Sequence, residues 1–223
     1  MNSEESKKAA AIKAVEWIED GMAIGLGTGS TTYFALEAIR DLVKGGHDLV
    51  GVPTSLRTEE IARGFGIPLT TLEGVNKLDV TIDGADEVDP QNRLIKGMGG
   101  ALLREKIIAS CTDVEIIVID DSKLVNVLGT RSPLPVEVLP FGHLRTRERI
   151  ETTGCRAMLR GGGTSFITDS GNFIYDCEYS SITDPNELER ELDSIPGVVE
   201  NGLFIGLADK IIIAGKGGVQ VRE

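Results

Sequence analysis

The amino-acid sequence predicts an α/β protein, an open, mostly parallel sheet with helices on both faces, joined to a smaller α+β unit. Three observations carry that prediction. Short apolar runs of strand length alternate with helix-period segments from Met22 to Ile119. Glycine-rich or acidic turns follow several of those runs, at the carboxyl ends where open α/β sheets bind ligands. After Gly129 the texture changes, because Ser132-Pro133-Leu134-Pro135 and Pro140 punctuate the chain and shorter elements replace the strict alternation. The expected organisation is a large domain over 1–130, to which the chain returns at 206–223, and a small α+β domain over 131–205.

Ser3 to Asp20 has a helical pattern, with Ala11, Ile12, Val15 and Ile18 on one face, Glu4 and Glu5 in the first turn and Gly21 as the stop. Lys7 and Lys8 read as solvated charges on this helix. Met22 to Leu26 is a short buried strand running into Gly25-Leu26-Gly27-Thr28-Gly29-Ser30-Thr31, and a helix over Tyr33 to Val43 follows. Strand, glycine loop and helix form a phosphate-cradling arrangement. It matches neither familiar nucleotide fingerprint: Ser30 stands where GxGxxG needs its third glycine, and no lysine stands where a Walker loop needs one. The hydroxyls of Thr28, Ser30 and Thr31 suit a small phosphate or sugar, while helix capping accounts for Ser30 or Thr31 about as well.

Asp48 to Val52 is the next strand, ended by Thr54-Ser55, and Leu56 to Phe65 is a helix closed by Gly66. Ser55 and Thr58 either cap that helix or line the same cleft. Leu69 to Leu72 and Asp79 to Ile82 add strands, and Glu115 to Ile119 has the unbroken apolar run of a parallel-sheet strand. Asp120-Asp121-Ser122-Lys123 closes it, which brings Lys123 to the carboxyl edge. In the smaller unit, Val136 to Leu139, Arg156 to Leu159, Ser165 to Thr168, Phe173 to Tyr175 and Val198 to Phe204 read as strands. Leu144 to Thr153 and a segment opened by Asp184-Pro185 and running to Leu192 read as helices over one face of an antiparallel sheet. Lys210 to Ala214 returns to the large sheet as a buried strand.

Composition narrows the function classes. With 41% hydrophobic and 26% charged residues the chain has an ordinary globular balance. It contains no apolar run of about 18 residues and no basic-then-apolar leader, so no membrane association and a cytoplasmic location are expected. Cys111, Cys155 and Cys177 are odd in number and contain no CxxC pair, which fits a reducing compartment. His47 and His143 are the only histidines, and the expected metal content is none. A formal charge of -12 repels phosphate backbones and argues against nucleic acid as a partner. Any anionic ligand must therefore be held by a local pocket.

Carboxylates, a lysine and a glycine turn crowd together only in residues 79–109. Asp79-Val80-Thr81-Ile82 is a strand, and Asp83-Gly84-Ala85-Asp86 follows at its carboxyl end, where two acids can face one cleft. Arg93-Leu94-Ile95 is a second short strand, and Lys96-Gly97-Met98-Gly99-Gly100 makes a turn whose amides can meet an anion before a helix over Gly100 to Cys111. On that helix Ala101, Leu102, Ile108 and Ala109 flank Glu105 within about 60°. A carboxyl among aliphatic groups is pushed toward the pKa of a general base. An exposed Glu105 beside Arg104 and Lys106 is the plainer reading, and Leu103 and Ile107, which make the opposite face apolar too, weigh against it.

GLGTGST at 25–31, DGADEVD at 83–89, KGMGGALLREKI at 96–107, DDSK at 120–123, PLPVEVLP at 133–140 and IPGVVENGLF at 195–204 closely resemble the type A ribose-5-phosphate isomerase family, nearly end to end. The resemblance implies a Rossmann-like large domain and an enzyme that interconverts D-ribose 5-phosphate and D-ribulose 5-phosphate in the non-oxidative pentose phosphate pathway. It implies no cofactor and no metal, a small-molecule sugar phosphate as ligand, and a homodimer or homotetramer. By the same resemblance Glu105 is the proton-transferring base; the chemistry of the reaction adds Lys96 at the oxyanion and Asp83 or Asp86 as a shuttle of hydroxyl protons that helps open the furanose ring. Substrate contacts fall to Thr28, Gly29, Ser30, Thr31, Asp83, Gly84, Ala85, Asp86, Lys96, Gly97, Met98, Gly99 and Lys123. Met98 departs from the family, many of whose members carry glycine there, and its side chain is expected to narrow the pocket.

The residues suit that chemistry. Moving a carbonyl between C1 and C2 needs one base and a clamp for the enediolate oxygens. Glu105 supplies the base, and Lys96 with the amides of its turn supplies the clamp. A sugar-phosphate sensor on the same sheet would use the hydroxyl and glycine loop but has no need of a base in an apolar face. A nucleotide-dependent kinase or dehydrogenase is disfavoured by the broken fingerprints.

Overall fold

A computed structural model describes residues 3–162, 166–215 and 217–223. Along the chain these form α1 (Ser3–Val15), β1 (Ala23–Leu26), α2 (Ser30–Lys44), β2 (Val50–Pro53), α3 (Leu56–Phe65), β3 (Leu78–Asp83), β4 (Glu87–Val88), β5 (Leu94–Ile95), α4 (Leu102–Ser110) and β6 (Thr112–Asp120). There follow β7 (Leu134–Val138), α5 (His143–Glu151), β8 (Arg156–Leu159), β9 (Phe173–Glu178), α6 (Pro185–Asp193), β10 (Val198–Asn201), β11 (Leu203–Phe204), β12 (Lys210–Gly215) and β13 (Gly218–Arg222). The chain makes two compact units, one of 1–85, 104–123 and 207–223, the other of 86–103 and 124–206.

The first unit is a six-stranded sheet in the order β13-β12-β6-β3-β1-β2, parallel except for β13. Alternation along the strands sends Ile24, Leu26, Val80, Ile82, Ile116, Val118, Ile212 and Ala214 to one face, where they form a core with α1, α2 and α3. Gly25 faces the other way, and a Cβ there would meet Ile108 of α4 at 2.9 Å. Helices therefore cover both faces, and the parallel strands deliver their carboxyl ends to one edge.

The second unit holds a four-stranded antiparallel sheet, β10-β7-β9-β8, and a small sheet, β11-β5-β4. Ile150 of α5 and Leu188 and Leu192 of α6 pack with Leu134, Val136, Ala157 and Tyr175 into its core.

Several expectations need correction. α1 stops at Val15, where the amides of Glu16, Trp17 and Ile18 bond three residues back in a tightened turn. Ala11, Val15 and Ile18 are buried as expected, together with Ala10 and Ala14, whereas Ile12 is 50% exposed. Leu69–Leu72 is not a strand: a single bridge joins Leu69 to Gly51 and a 3₁₀ turn begins at Leu72. Phe166–Thr168 is likewise not a strand, and Ser165 lies outside the described residues. Val198–Phe204 divides between two sheets around Gly202, where a Cβ would lie 2.4 Å from the Lys96 carbonyl oxygen. Residues 86–103 pack in the second unit, because β4 and β5 pair with β11.

Candidate active site

The glycine loop after β1 is held by the end of β3. Gly27 N donates to Ile82 O at 3.0 Å, and a Cβ on Gly27 would meet Asp83 Oδ1 at 2.4 Å, so only glycine permits this approach. Asp83 is buried, and its Oδ1 accepts the amides of Thr28 at 3.1 Å and Gly84 at 2.7 Å. Gly84 and Ala85 continue beyond it, half-buried. The Thr28 hydroxyl turns into a cluster with Thr54 (2.8 Å), Ser55 (2.7 Å) and Thr58 (3.0 Å), so it fastens the loop to α3. Ser55 does cap α3, accepting from Thr58 N at 3.0 Å.

Neither Ser30 nor Thr31 caps α2. Gly29, at φ 140°, is its N-cap and makes no side-chain cap bond, while Ser30 and Thr31 occupy the first turn. That leaves the positive end of the helix dipole beside a loop open to an anion. A cavity of about 570 Å³ lies over it, lined by Gly27, Thr28, Gly29 and Ser30 and by Lys7, Arg57 and Glu4. Lys7 Nζ donates to Ser30 Oγ at 2.9 Å. By residue pattern alone Lys7 is a solvated charge; nothing local marks it, since the contact is made across 23 residues.

At the same carboxyl edge, Lys123 ends the 3₁₀ turn Asp121–Lys123 after β6, a turn anchored by Ser122 N on Asp120 Oδ1 at 3.0 Å. Glu105 sits in the first turn of α4 and is 4% exposed, between buried Leu102 and Ile108. The surface-partner reading of Glu105 is thereby overturned. The expectation of a helix buried on both sides is overturned too, since Ile107 is 45% exposed.

In the second unit, Lys96 is 2% exposed at the end of β5, its amide bonded to Gly202 O at 2.9 Å and its Nζ 5.3 Å from the Phe204 ring centre. The turn after it is tight: Gly97 has φ 106°, Gly100 N donates to Gly97 O at 3.0 Å, and Met98 N donates to Asp86 Oδ2 at 3.0 Å. Two amides expected to meet a ligand are thus spent, one within the turn and one on Asp86. Gly97 also rests on Leu102, whose Cβ would lie 2.8 Å from an added Cβ. The Met98 side chain is 44% exposed, and Gly99 beside it is exposed.

Arg160 is the other residue that sequence reasoning missed. Its Nη1 donates to Gly97 O at 2.9 Å and Met98 O at 3.3 Å, and Asp176 holds the guanidinium in place as an ion pair. The remaining acids of the 83–89 run are structural. Glu87 is fully buried and accepts the amides of Gly129, Arg131 and Ser132, while Asp89 accepts those of Gln91 and Arg93. Among the described residues, no group of three or more His, Cys, Asp or Glu is placed to hold a metal ion, and no helix is long and apolar enough to cross a membrane.

Fold and site define an open α/β protein with a glycine loop at a helix N-terminus and a buried glutamate at the carboxyl edge of its parallel sheet. Comparison with known proteins is specific. The model of the family described as ribose 5-phosphate isomerase A (phosphoriboisomerase A) matches residues 50–218. Ribose-5-phosphate isomerase A of Parvibaculum lavamentivorans is 50% identical with 100% of both chains covered, and that of Pyrococcus abyssi 47%, also over 100% of both. A D-ribose-5-phosphate isomerase structure in complex with phospho-erythronic acid superposes with a TM-score of 0.97 at 44% identity, covering 100% of each chain. Ribose 5-phosphate isomerase A of Methanocaldococcus jannaschii gives 0.94 at 38%, again over 100% of both. The chain belongs to the ribose 5-phosphate isomerase A family.

Proposed function

We propose that this protein interconverts D-ribose 5-phosphate and D-ribulose 5-phosphate through an enediolate, as a step of the non-oxidative pentose phosphate pathway. The observation that carries the reading is a glutamate only 4% exposed, Glu105, in a chain aligned end to end with isomerases. Phospho-erythronic acid, bound in one relative, is a four-carbon phosphorylated acid whose carboxylate imitates the two oxygens of an enediolate.

In the forward direction the Glu105 carboxylate takes the C2 proton of open-chain ribose 5-phosphate, and the C2–H electron pair becomes the C1–C2 double bond while the carbonyl pair moves to O1. The same proton, now on Glu105, goes to C1, and the O2 proton passes to O1 as the C2 carbonyl forms. Lys96 offsets the oxygen charge between these events, and each preorganised donor of this kind is worth about 2.7–4 kcal/mol. Asp83 and Asp86 serve the hydroxyl proton transfers and the opening of the furanose ring. The loop of Thr28, Gly29, Ser30 and Thr31 receives the phosphate with Lys7 and Lys123 as counter-charges, and Gly84, Ala85, Gly97, Met98 and Gly99 line the sugar. No cofactor is assigned. Free cysteines support a cytoplasmic location, and the exposed Leu139, Phe141 and Leu144 offer apolar surface for a homodimer or homotetramer.

The test is an isomerisation assay with ribose 5-phosphate, following ketose formation by the purified folded protein. Turnover is expected in both directions. Saturable binding without ketose formation would leave a sensor and overturn the reading.

A further inference from the structure

The turn that follows Lys96 has little stiffness of its own. Gly97 and Gly100 sit at positive φ, 106° and 83°, and Met98 and Gly99 between them are exposed. Glycine loses more backbone freedom on ordering than any other residue, so such a turn keeps one shape only where its neighbours impose it. Asp86 holds one amide of the turn, and Arg160 holds two carbonyls. Arg160 Nη1 donates to Gly97 O at 2.9 Å and to Met98 O at 3.3 Å, across 63 and 62 residues of chain. The Phe166 ring closes the far end of the turn, where a Cβ on Gly100 would lie 2.4 Å from its Cζ.

The guanidinium is itself fixed. Arg160 follows β8 directly, and its amide extends the ladder to Ile174 O at 2.9 Å. Asp176, which lies on β9 opposite Met158, accepts from Nε at 3.0 Å and from Nη2 as well. One edge of the guanidinium is thus bound to a carboxylate rooted in the antiparallel sheet, and the remaining nitrogen meets the turn. The Phe166 ring centre, 5.8 Å from the guanidinium carbon, and the Met98 sulfur, 3.9 Å from Nη2, cover the group, and its side chain is only 14% exposed. A lysine here would reach the carboxylate or the carbonyls, because a single ammonium has no second edge.

We propose that Arg160 is a positioning residue for the isomerisation: locked by Asp176, it fixes the carbonyls of Gly97 and Met98 and so sets how Lys96, the residue before them, presents its ammonium to the developing oxygen charge. The inference rests on the reading of Lys96 as the oxyanion clamp. The Lys96 amide is tied to Gly202 O at 2.9 Å, so one side of the residue is set by Gly202 and the other by the turn. Releasing Arg160 frees only the second. An oxyanion donor acts on charge that exists only in the transition state, so a small displacement lowers turnover and leaves ground-state binding nearly intact. An ion pair that merely joined β8 to β9 would have the opposite signature, a loss of stability with unchanged kcat in the folded protein.

The experiment compares the full protein with Arg160→Lys, which keeps the charge and the pairing with Asp176 but loses the second edge, and with Asp176→Asn, which keeps the shape and loosens the guanidinium. Each is measured in ribose 5-phosphate isomerisation, in denaturant unfolding and in inhibition by phospho-erythronic acid. In Arg160→Lys kcat should fall on the order of 10²-fold with little change in KM, as a small misplacement of a reacting group does. Phospho-erythronic acid should weaken by a larger factor than KM changes, because its carboxylate stands in for the enediolate oxygens. The decisive measurement is the cycle with Lys96→Ala. In that background Arg160→Lys should lower kcat by no more than about twofold, because the group it positions has gone. A kcat loss below about threefold in folded Arg160→Lys, or the same loss in both backgrounds, would overturn the proposal. If Arg160→Lys does not fold, Asp176→Asn is held to the same criteria. A parent that does not isomerise removes the functional reading and this proposal with it, whereas a parent that isomerises beside an unaffected Arg160→Lys removes this proposal alone.

Discussion

Asp83 Oδ1 accepts the amide of Thr28 at 3.1 Å and so fastens the glycine loop after β1 to the end of β3. The same oxygen takes the Gly84 amide, so one buried carboxylate sets the backbone of two neighbouring loops. Asp83→Ala should lower stability by about 1–3 kcal/mol, as leaving buried donors unsatisfied does, and raise KM for the sugar phosphate. Asp83→Asn keeps an acceptor and should recover most of the stability without recovering the turnover that needs a carboxylate. Denaturant unfolding and steady-state kinetics on both variants check this; equal stability loss in the two would remove the hydrogen bonds as the cause.

Glu105→Gln keeps the shape and hydrogen-bonding capacity of a side chain that is 4% exposed and removes its basic oxygen. Turnover should fall by about 10²- to 10⁴-fold or more, with a much smaller change in substrate binding. Solvent deuterium should enter substrate carbon with the parent and hardly at all with the variant. A folded variant within a few-fold of the parent would move the base to Asp83 or Asp86.

The three lysines Lys96, Lys7 and Lys8 should separate by kinetic signature. Lys96→Ala removes the buried cation of the turn and should cost about 10²- to 10³-fold in kcat. Lys7→Ala removes the cation bonded to Ser30 and should act mainly on KM, in the way of a group that binds ground and transition states alike. Lys8, exposed one residue further on, is the control and should change neither. Equal small losses in Lys96→Ala and Lys8→Ala would take Lys96 out of the site.

Exhaustive chelation should leave isomerisation unchanged, because the proposed clamp is a lysine and the described residues include no metal-ligand cluster. Activity that returns only on adding a divalent ion would contradict it.

What the sequence determined by itself was whatever rests on short-range periodicity and residue chemistry. Apolar runs of strand length placed β1, β3, β6 and β12, Gly66 ended α3, and the flanking of Glu105 by Leu102, Ile108 and Ala109 placed its carboxylate in an apolar setting, because a helix brings residues three and four apart onto one side. Pairing across long stretches of chain was decided only in three dimensions. The Thr28 hydroxyl turned from ligand to the Thr54, Ser55 and Thr58 cluster, and Lys7 reached Ser30 across 23 residues. Arg160 came to the Lys96 turn across 63 residues, and 86–103 joined the second unit through β11. A side chain's partner depends on which backbones pack against it, and no window of neighbouring residues encodes that.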